Sequence, residues 1–186
     1  VILMAGEITE DTDQTVRSAV GQAYAYRAMC YLDLARLFEP KQNKLAPVPD
    51  EVMGLTVPWV DENITEEIAK NNPRATREDM YGYIFADLAK AAEYLDATMT
   101  SYNNPTVGAV YGMYARAYQE LGGTYHELGN KTESDKNYKK AAEYARLAIE
   151  TSKKTPLTAA QWLDPKSGFN DGSANNAWIW GLTLSV

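Results

Sequence analysis

Between residues 110 and 150, large and small side chains recur at steps of three and four. The first half reads Tyr111, Tyr114, Ala115, Tyr118. The second reads Tyr138, Ala141, Tyr144, Ala145, Ala148, Ile149. That period places each set on one face of a helix. Ala115, Ala141, Ala145 and Ala148 allow two helix backbones to approach, and the tyrosines fill the space beside them. A polar break separates the two helices.

The pattern occurs twice. Tyr24, Ala28 and Tyr31 repeat the spacing of Tyr111, Ala115 and Tyr118, and Tyr81, Ile84, Leu88 and Ala91 repeat that of Tyr138, Ala141, Ala145 and Ala148. Two helix pairs of tetratricopeptide type follow. The predicted fold is mainly α, with tetratricopeptide-like helix pairs (an α–α superhelix), long loops and a short C-terminal strand. A generic helical bundle with an Ala/Tyr core is the alternative.

A chain of 186 residues can bury one core, so residues 1–186 are read as a single, partial domain. Net charge is −7, with a sequence pI near 4.8. That argues against a nucleic acid or an anionic membrane as partner, since both need clustered Lys and Arg. Neutral ligands such as sugars or peptides remain compatible. Thirteen tyrosines stand against three phenylalanines, and tyrosine suits half-buried helix faces and polar binding surfaces alike. The single cysteine, Cys30, allows no internal disulfide and is expected to be a buried, inert thiol. No apolar run is long enough to span a bilayer. The abrupt apolar start and the strand-like end suggest a fragment of a longer protein.

In chain order, a helix is expected over residues 13–38, facing inward with Val16, Val20, Ala23, Ala28, Tyr31, Ala35 and Phe38. Gly21 either weakens it or permits close packing. Arg27, Asp33 and Arg36 are expected in surface or inter-helix ion pairs. Prolines 40, 47, 49, 58 and 73 forbid a helix through the following insertion, with extended chain near residues 55–60. Asp61, Glu62, Glu66 and Glu67 read as a solvated helical turn, with a metal site as the alternative. A capping-box-like start at Thr76 opens a helix with Met80, Ile84, Leu88, Ala91, Ala92 and Leu95 inward. The next helix starts after Pro105 and is expected to end at Gly122-Gly123. Thr132 and Asp135 are expected to cap the fourth. Asp164, Asn170 and Asp171 lack the spacing of a calcium loop. Residues 178–186 alternate like a strand.

Catalytic patterns are lacking: no phosphate loop, nucleophile elbow, zinc spacing or Cys/His pair. His126 has no evident partner. No cofactor or metal is called for. Aromatics on loops remain: Trp59, Tyr102 and Trp162, with Trp178 or Trp180 beside them, one of the last two being core by alternation. Such rings stack on the apolar faces of sugars, while nearby Asn and Asp bind the hydroxyls. Trp59, Tyr102 and Trp162 are the candidate ligand-binding residues. Packing is the competing role for each.

The order of motifs adds a resemblance. The run from Gly21 to Phe38, GQAYAYRAMCYLDLARLF, is similar to the "GEA-x-FLRA-x-x-Y-x-x-L-x-x-x-F/Y-G" helix of the SusD/RagB family. Residues 74–95, RATREDMYGYIFADLAKAAEYL, resemble its "R-x-S/T-x-x-E-V-Y-x-x-I-x-x-DL-x-x-A-x-x-x-L" segment. Residues 105–122, and then the helix from Tyr138 and the strand from Trp178, follow in the family's order. The resemblance implies a surface-exposed, lipid-anchored glycan- or nutrient-binding lipoprotein of the Bacteroidota outer membrane. It implies no catalysis, and work with a SusC-like TonB-dependent transporter on an oligosaccharide or peptide ligand. Glu39-Pro40 replaces the family's glycine after the first helix, so the next loop is expected to run differently. A tetratricopeptide adaptor for proteins and a carbohydrate-active enzyme are the two alternative functions.

Overall fold

A computed structural model describes residues 1–42, 45, 47–98, 101–166 and 177–181. Among them the elements are α1 (Ile2–Ala5), α2 (Gln14–Phe38), a 3-10 turn (Asp50–Val52), α3 (Glu66–Lys70), α4 (Arg77–Tyr94), α5 (Val107–Glu127), α6 (Lys131–Ser152) and α7 (Ala159–Leu163). The fold is mainly α, as the spacing predicts. No helix among the described residues is long and apolar enough to cross a membrane.

Two antiparallel pairs carry the structure. In the first, α2 packs on α4. A β-carbon on Gly21 would stand 2.9 Å from Leu95 Cγ, and Glu39 at the other end meets Arg77. In the second, α5 packs on α6. A β-carbon on Gly108 would lie 3.1 Å from Ser152 Cβ, and one on Gly122 would lie 2.8 Å from Tyr138 Cδ1. Glycines thus make close approaches in both pairs, while Ala148 is buried and Ala145 is exposed. The pairs share one core, built from Ala28 and Leu32 of α2, Met80, Ile84 and Leu88 of α4, and Val110 and Ala117 of α5. Burying each larger side chain contributes about 1.5–3 kcal/mol.

Helix starts follow local chemistry. The hydroxyl of Thr76 accepts from Asp79 N–H at 3.1 Å, which satisfies one of the orphan donors of α4. Three expectations need correction. The helix α5 runs through Gly122-Gly123 to Glu127, because Tyr138 packs over Gly122 and the Ser134 hydroxyl bonds its carbonyl at 2.9 Å. The cap of α6 is Asn130, whose side chain accepts from Glu133 N–H at 3.2 Å, while Asp135 pairs with Lys131. The buried stripe of α2 runs through Val20, Ala25, Ala28, Leu32 and Ala35. Val16, Phe38 and Cys30 stand outside it, so Cys30 is exposed rather than buried. The only β-pairing among the described residues is the bridge between Leu55 and Thr76. Residues 178–181 of the expected C-terminal strand are irregular, and 182–186 lie outside the described residues, as do Asn170 and Asp171.

The tyrosine excess has a place. Phe85, Tyr114, Tyr118 and Tyr144 stack across α4, α5 and α6, with ring centroids 4.4 Å apart for Phe85–Tyr118 and 4.5 Å for Tyr114–Tyr144. Tyr114 donates its hydroxyl to Phe85 O at 3.0 Å. Each ring covers apolar surface, and the Tyr114 hydroxyl finds a polar partner at the same time.

Candidate functional site

The insertion between α2 and α4 is fastened by specific bonds. Thr56 N–H donates to Ala75 O at 2.8 Å, and Ala75 N–H to Val57 O at 3.1 Å. The Arg74 guanidinium donates to the carbonyls of Thr56, Leu55 and Phe38 at 2.6, 2.8 and 2.7 Å. It thereby ties the end of α2 to the extended run that carries Trp59. The Tyr31 hydroxyl accepts from Val60 N–H at 2.8 Å.

Trp59 itself lies against two rings. Its centroid is 4.4 Å from Tyr31 and 4.7 Å from Tyr83, stacked at 20° on the latter. Its Nε1 donates to Asp61 Oδ2 at 3.3 Å, and Asn72 donates to its carbonyl at 2.7 Å. Arg27 sits 5.1 Å from its ring centroid. The same guanidinium donates to both Asp87 oxygens at 2.7 and 2.8 Å and to Glu62 at 2.6 Å. Burial opposes the ionised Glu62, and the Arg27 bond and charge outweigh it, so its carboxyl titrates below its ordinary range. Asp61 likewise titrates low: burial opposes ionisation, and the Asn63 amide, Trp59 and Arg27 prevail. These two acids are half-buried and engaged in structural bonds at a turn, and only the part of the expected solvated turn at Glu66 and Glu67 is exposed. Glu66 and Glu67 open α3, with Glu66 paired to Lys70. Among the described residues, no three His, Cys, Asp or Glu side chains stand together as metal ligands. As expected, Arg36 bridges helices, pairing with Asp33 and with Glu120.

The other two candidates lie toward the C-terminal segment. Tyr102 accepts Gly181 N–H on its carbonyl at 2.8 Å. Asn103 O accepts from the Tyr26 hydroxyl at 3.2 Å and from Trp180 Nε1 at 3.1 Å. Trp180 meets Tyr26 edge-on at 5.5 Å and packs on the core, as expected of one of the two tryptophans, but from irregular chain rather than from a strand. Trp162 of α7 is 58% exposed. With Pro156, Leu157, Ala177 and Trp178 it lines an apolar cavity of about 290 Å³. Tyr102 borders the same C-terminal segment at Gly181, and Trp59 belongs to a separate cluster. The contribution of Trp178 to the cavity was legible only as one of two alternatives.

Fold and surface together define a class: a helical-repeat scaffold with aromatic rings in its insertion and on its C-terminal segment. A family model described as "Starch-binding associating with outer membrane" matches residues 3–119, and the chain belongs to that SusD-like family. Solved structures agree. A SusD-like carbohydrate binding protein from Bacteroides vulgatus superposes with a TM-score of 0.65 at 22% identity, over 95% of this chain and 32% of that one. A putative sugar binding protein from the same species gives 0.64 at 26%, over 96% and 36%. A SusD superfamily protein from Bacteroides thetaiotaomicron gives 0.58 at 20%, over 86% and 30%. The chain spans about a third of the length of these structures. No curated protein matches it.

Proposed function

We propose that this chain is part of a non-catalytic glycan-binding lipoprotein of the outer-membrane surface, working with a SusC-like TonB-dependent transporter. Residues 1–186 would form one partial domain of that protein. The observation that carries the reading is the exposed Trp162 ring beside the apolar cavity it lines with Trp178. A partly exposed indole stacks readily on the C–H face of a sugar ring. The family description and the names of the two Bacteroides vulgatus proteins support sugar as the ligand class. Tyr102 is proposed to border the ligand, and Trp59 to hold the adjoining insertion in place.

The test is affinity electrophoresis of the chain in gels containing soluble α-glucan, β-glucan, xylan or mannan. Retardation in at least one gel, lost in Trp162→Ala, is expected. A parallel reducing-sugar assay should stay at background. Migration unchanged in every gel, or sugar release above background, would overturn the reading.

A further inference from the structure

Trp178 reaches the Trp162 cavity from residues 177–181, which carry neither helix nor strand. That segment is clasped to the turn between α4 and α5. Gly181 N–H donates to Tyr102 O at 2.8 Å, and Trp180 Nε1 donates to Asn103 O at 3.1 Å. From α2, the Tyr26 hydroxyl donates to the same Asn103 carbonyl at 3.2 Å. A carbonyl oxygen has two lone pairs, one for each of these donors. Trp180 also meets the Tyr26 ring edge-on at 5.5 Å and packs on the core. The turn offering both carbonyls is itself held. Asn104 N–H donates to Ser101 O at 3.1 Å, and Asn103 N–H to Ser101 Oγ at 3.3 Å. A β-carbon on Gly181 would lie 3.6 Å from Tyr102 Cδ2 and 4.0 Å from Trp178 Cε3. The rings of Tyr102 and Trp178 therefore flank the glycine that the clasp fastens.

We propose that Trp180 is a positioning residue for the glycan surface: clasped by Tyr26 and the Asn103 carbonyl, its indole holds Trp178 in place beside the Trp162 cavity. This role rests on the sugar-binding reading of that surface. Trp180 is not itself a lining residue, and it acts through the chain it anchors. Without an anchor, an irregular segment would have to be ordered each time a ligand arrived, and that entropy would weaken binding. The clasp places the cost in folding instead. Coupling of this kind is reciprocal: a ligand seated on Trp178 tightens the clasp as much as the clasp tightens the ligand.

Four tryptophans give four indole N–H signals in a ¹H–¹⁵N spectrum, assigned by replacing each with Phe in turn. Trp180→Phe keeps an aromatic body on the core and deletes the donor to Asn103. It should shift the Trp162 and Trp178 signals and leave that of Trp59 in place. Retention in the glycan gel should weaken roughly 3–10-fold, the effect of one hydrogen bond. Ser134→Ala deletes a different hydrogen bond, to Gly122 O at 2.9 Å, within the second helix pair. It should lower the melting temperature comparably and leave retention unchanged, which separates positioning from general stability. In the unmodified chain, a hexasaccharide of the retaining glycan should move the Trp180 signal along with those of Trp162 and Trp178. Trp162 and Trp178 signals unmoved in Trp180→Phe, retention unchanged in that variant, or an equal loss of retention in Ser134→Ala would overturn the assignment. If no gel retains the unmodified chain, the sugar reading fails by itself, and the indole signals of Trp180→Phe still decide whether the clasp positions Trp178.

Discussion

Gly21 of α2 lies so close to Tyr94 of α4 that a β-carbon on the glycine would stand 3.0 Å from the tyrosine's own Cβ. The same atom would meet Leu95 Cγ at 2.9 Å. Tyr94 Cβ is fixed to its main chain and Leu95 is buried, so neither yields easily. Gly21→Ala is expected to cost about 1–3 kcal/mol from overpacking, despite the better helix propensity of alanine. At Gly112 a β-carbon would find nothing within 4 Å, and Gly112→Ala should stabilise by roughly 0.5–1 kcal/mol. Urea unfolding of both variants checks the opposite signs.

Arg27 joins α2 to α4 and to the insertion at once. Replacing it with Met strands Asp87, whose side chain is 5% exposed. Breaking such a buried pair should cost about 3–5 kcal/mol. Glu62→Gln touches the wetter end of the network and should cost only ~1 kcal/mol. Equal losses in urea unfolding would contradict this ranking.

Within the same network Glu62 supports stability on the acid limb, while burial holds Asp87 above its ordinary value and works the other way. Glu62 has a folded pKa below its ordinary value of 4.5. A lowered pKa contributes stability above the unfolded value, and that contribution is lost as pH falls through the folded one. Melting temperature should therefore drop as pH falls below about 4.5, the ordinary Glu value. Glu62→Gln should flatten that limb, as read by thermal melts from pH 6 to about pH 3.

Burial pushes the Tyr81 and Tyr114 hydroxyls up from their ordinary value. Their contribution is present in full below the unfolded pKa near 10 and is lost as pH rises through the folded values. Stability should decline above roughly pH 10. Tyrosinate absorbance near 295 nm should report late-titrating residues that ionise only as the helical signal is lost.

Trp59 and Trp162 should separate by readout. Trp59→Ala removes contacts with Tyr31, Tyr83 and Arg27 and should cost about 3 kcal/mol. Trp162→Ala should leave stability within about 0.5 kcal/mol, as exposed substitutions do, while glycan retention falls. The reverse pattern would assign the binding surface to the insertion instead.

Much of the fold was legible in the chain because it is local. The cap at Thr76 and the inward row Met80, Ile84, Leu88, Ala91 follow from hydrogen bonds and spacing along the helix itself, and the start after Thr106 follows Pro105. The candidate site was legible only as residue types. Trp59 and Trp162 look alike in sequence, yet one is clamped by residues 28 and 24 positions away, Tyr31 and Tyr83, and the other is 58% exposed.

The sequence by itself determined the helix pairs, their order and the family they belong to. The 3.6-residue period and the order of motifs are written into the chain. Tertiary structure decided which stripe of α2 is buried, since Val16 and Phe38 continue the helical spacing of the inward row yet stay exposed. Only the surface offered by α4 makes that choice. It also decided that α5 passes through Gly122-Gly123, because Tyr138 packs over the glycine that would otherwise end the helix. And it turned Glu39, a departure from the family motif, into the buried partner of Arg77. Contacts that span 38 residues are set by packing, which no local spacing encodes.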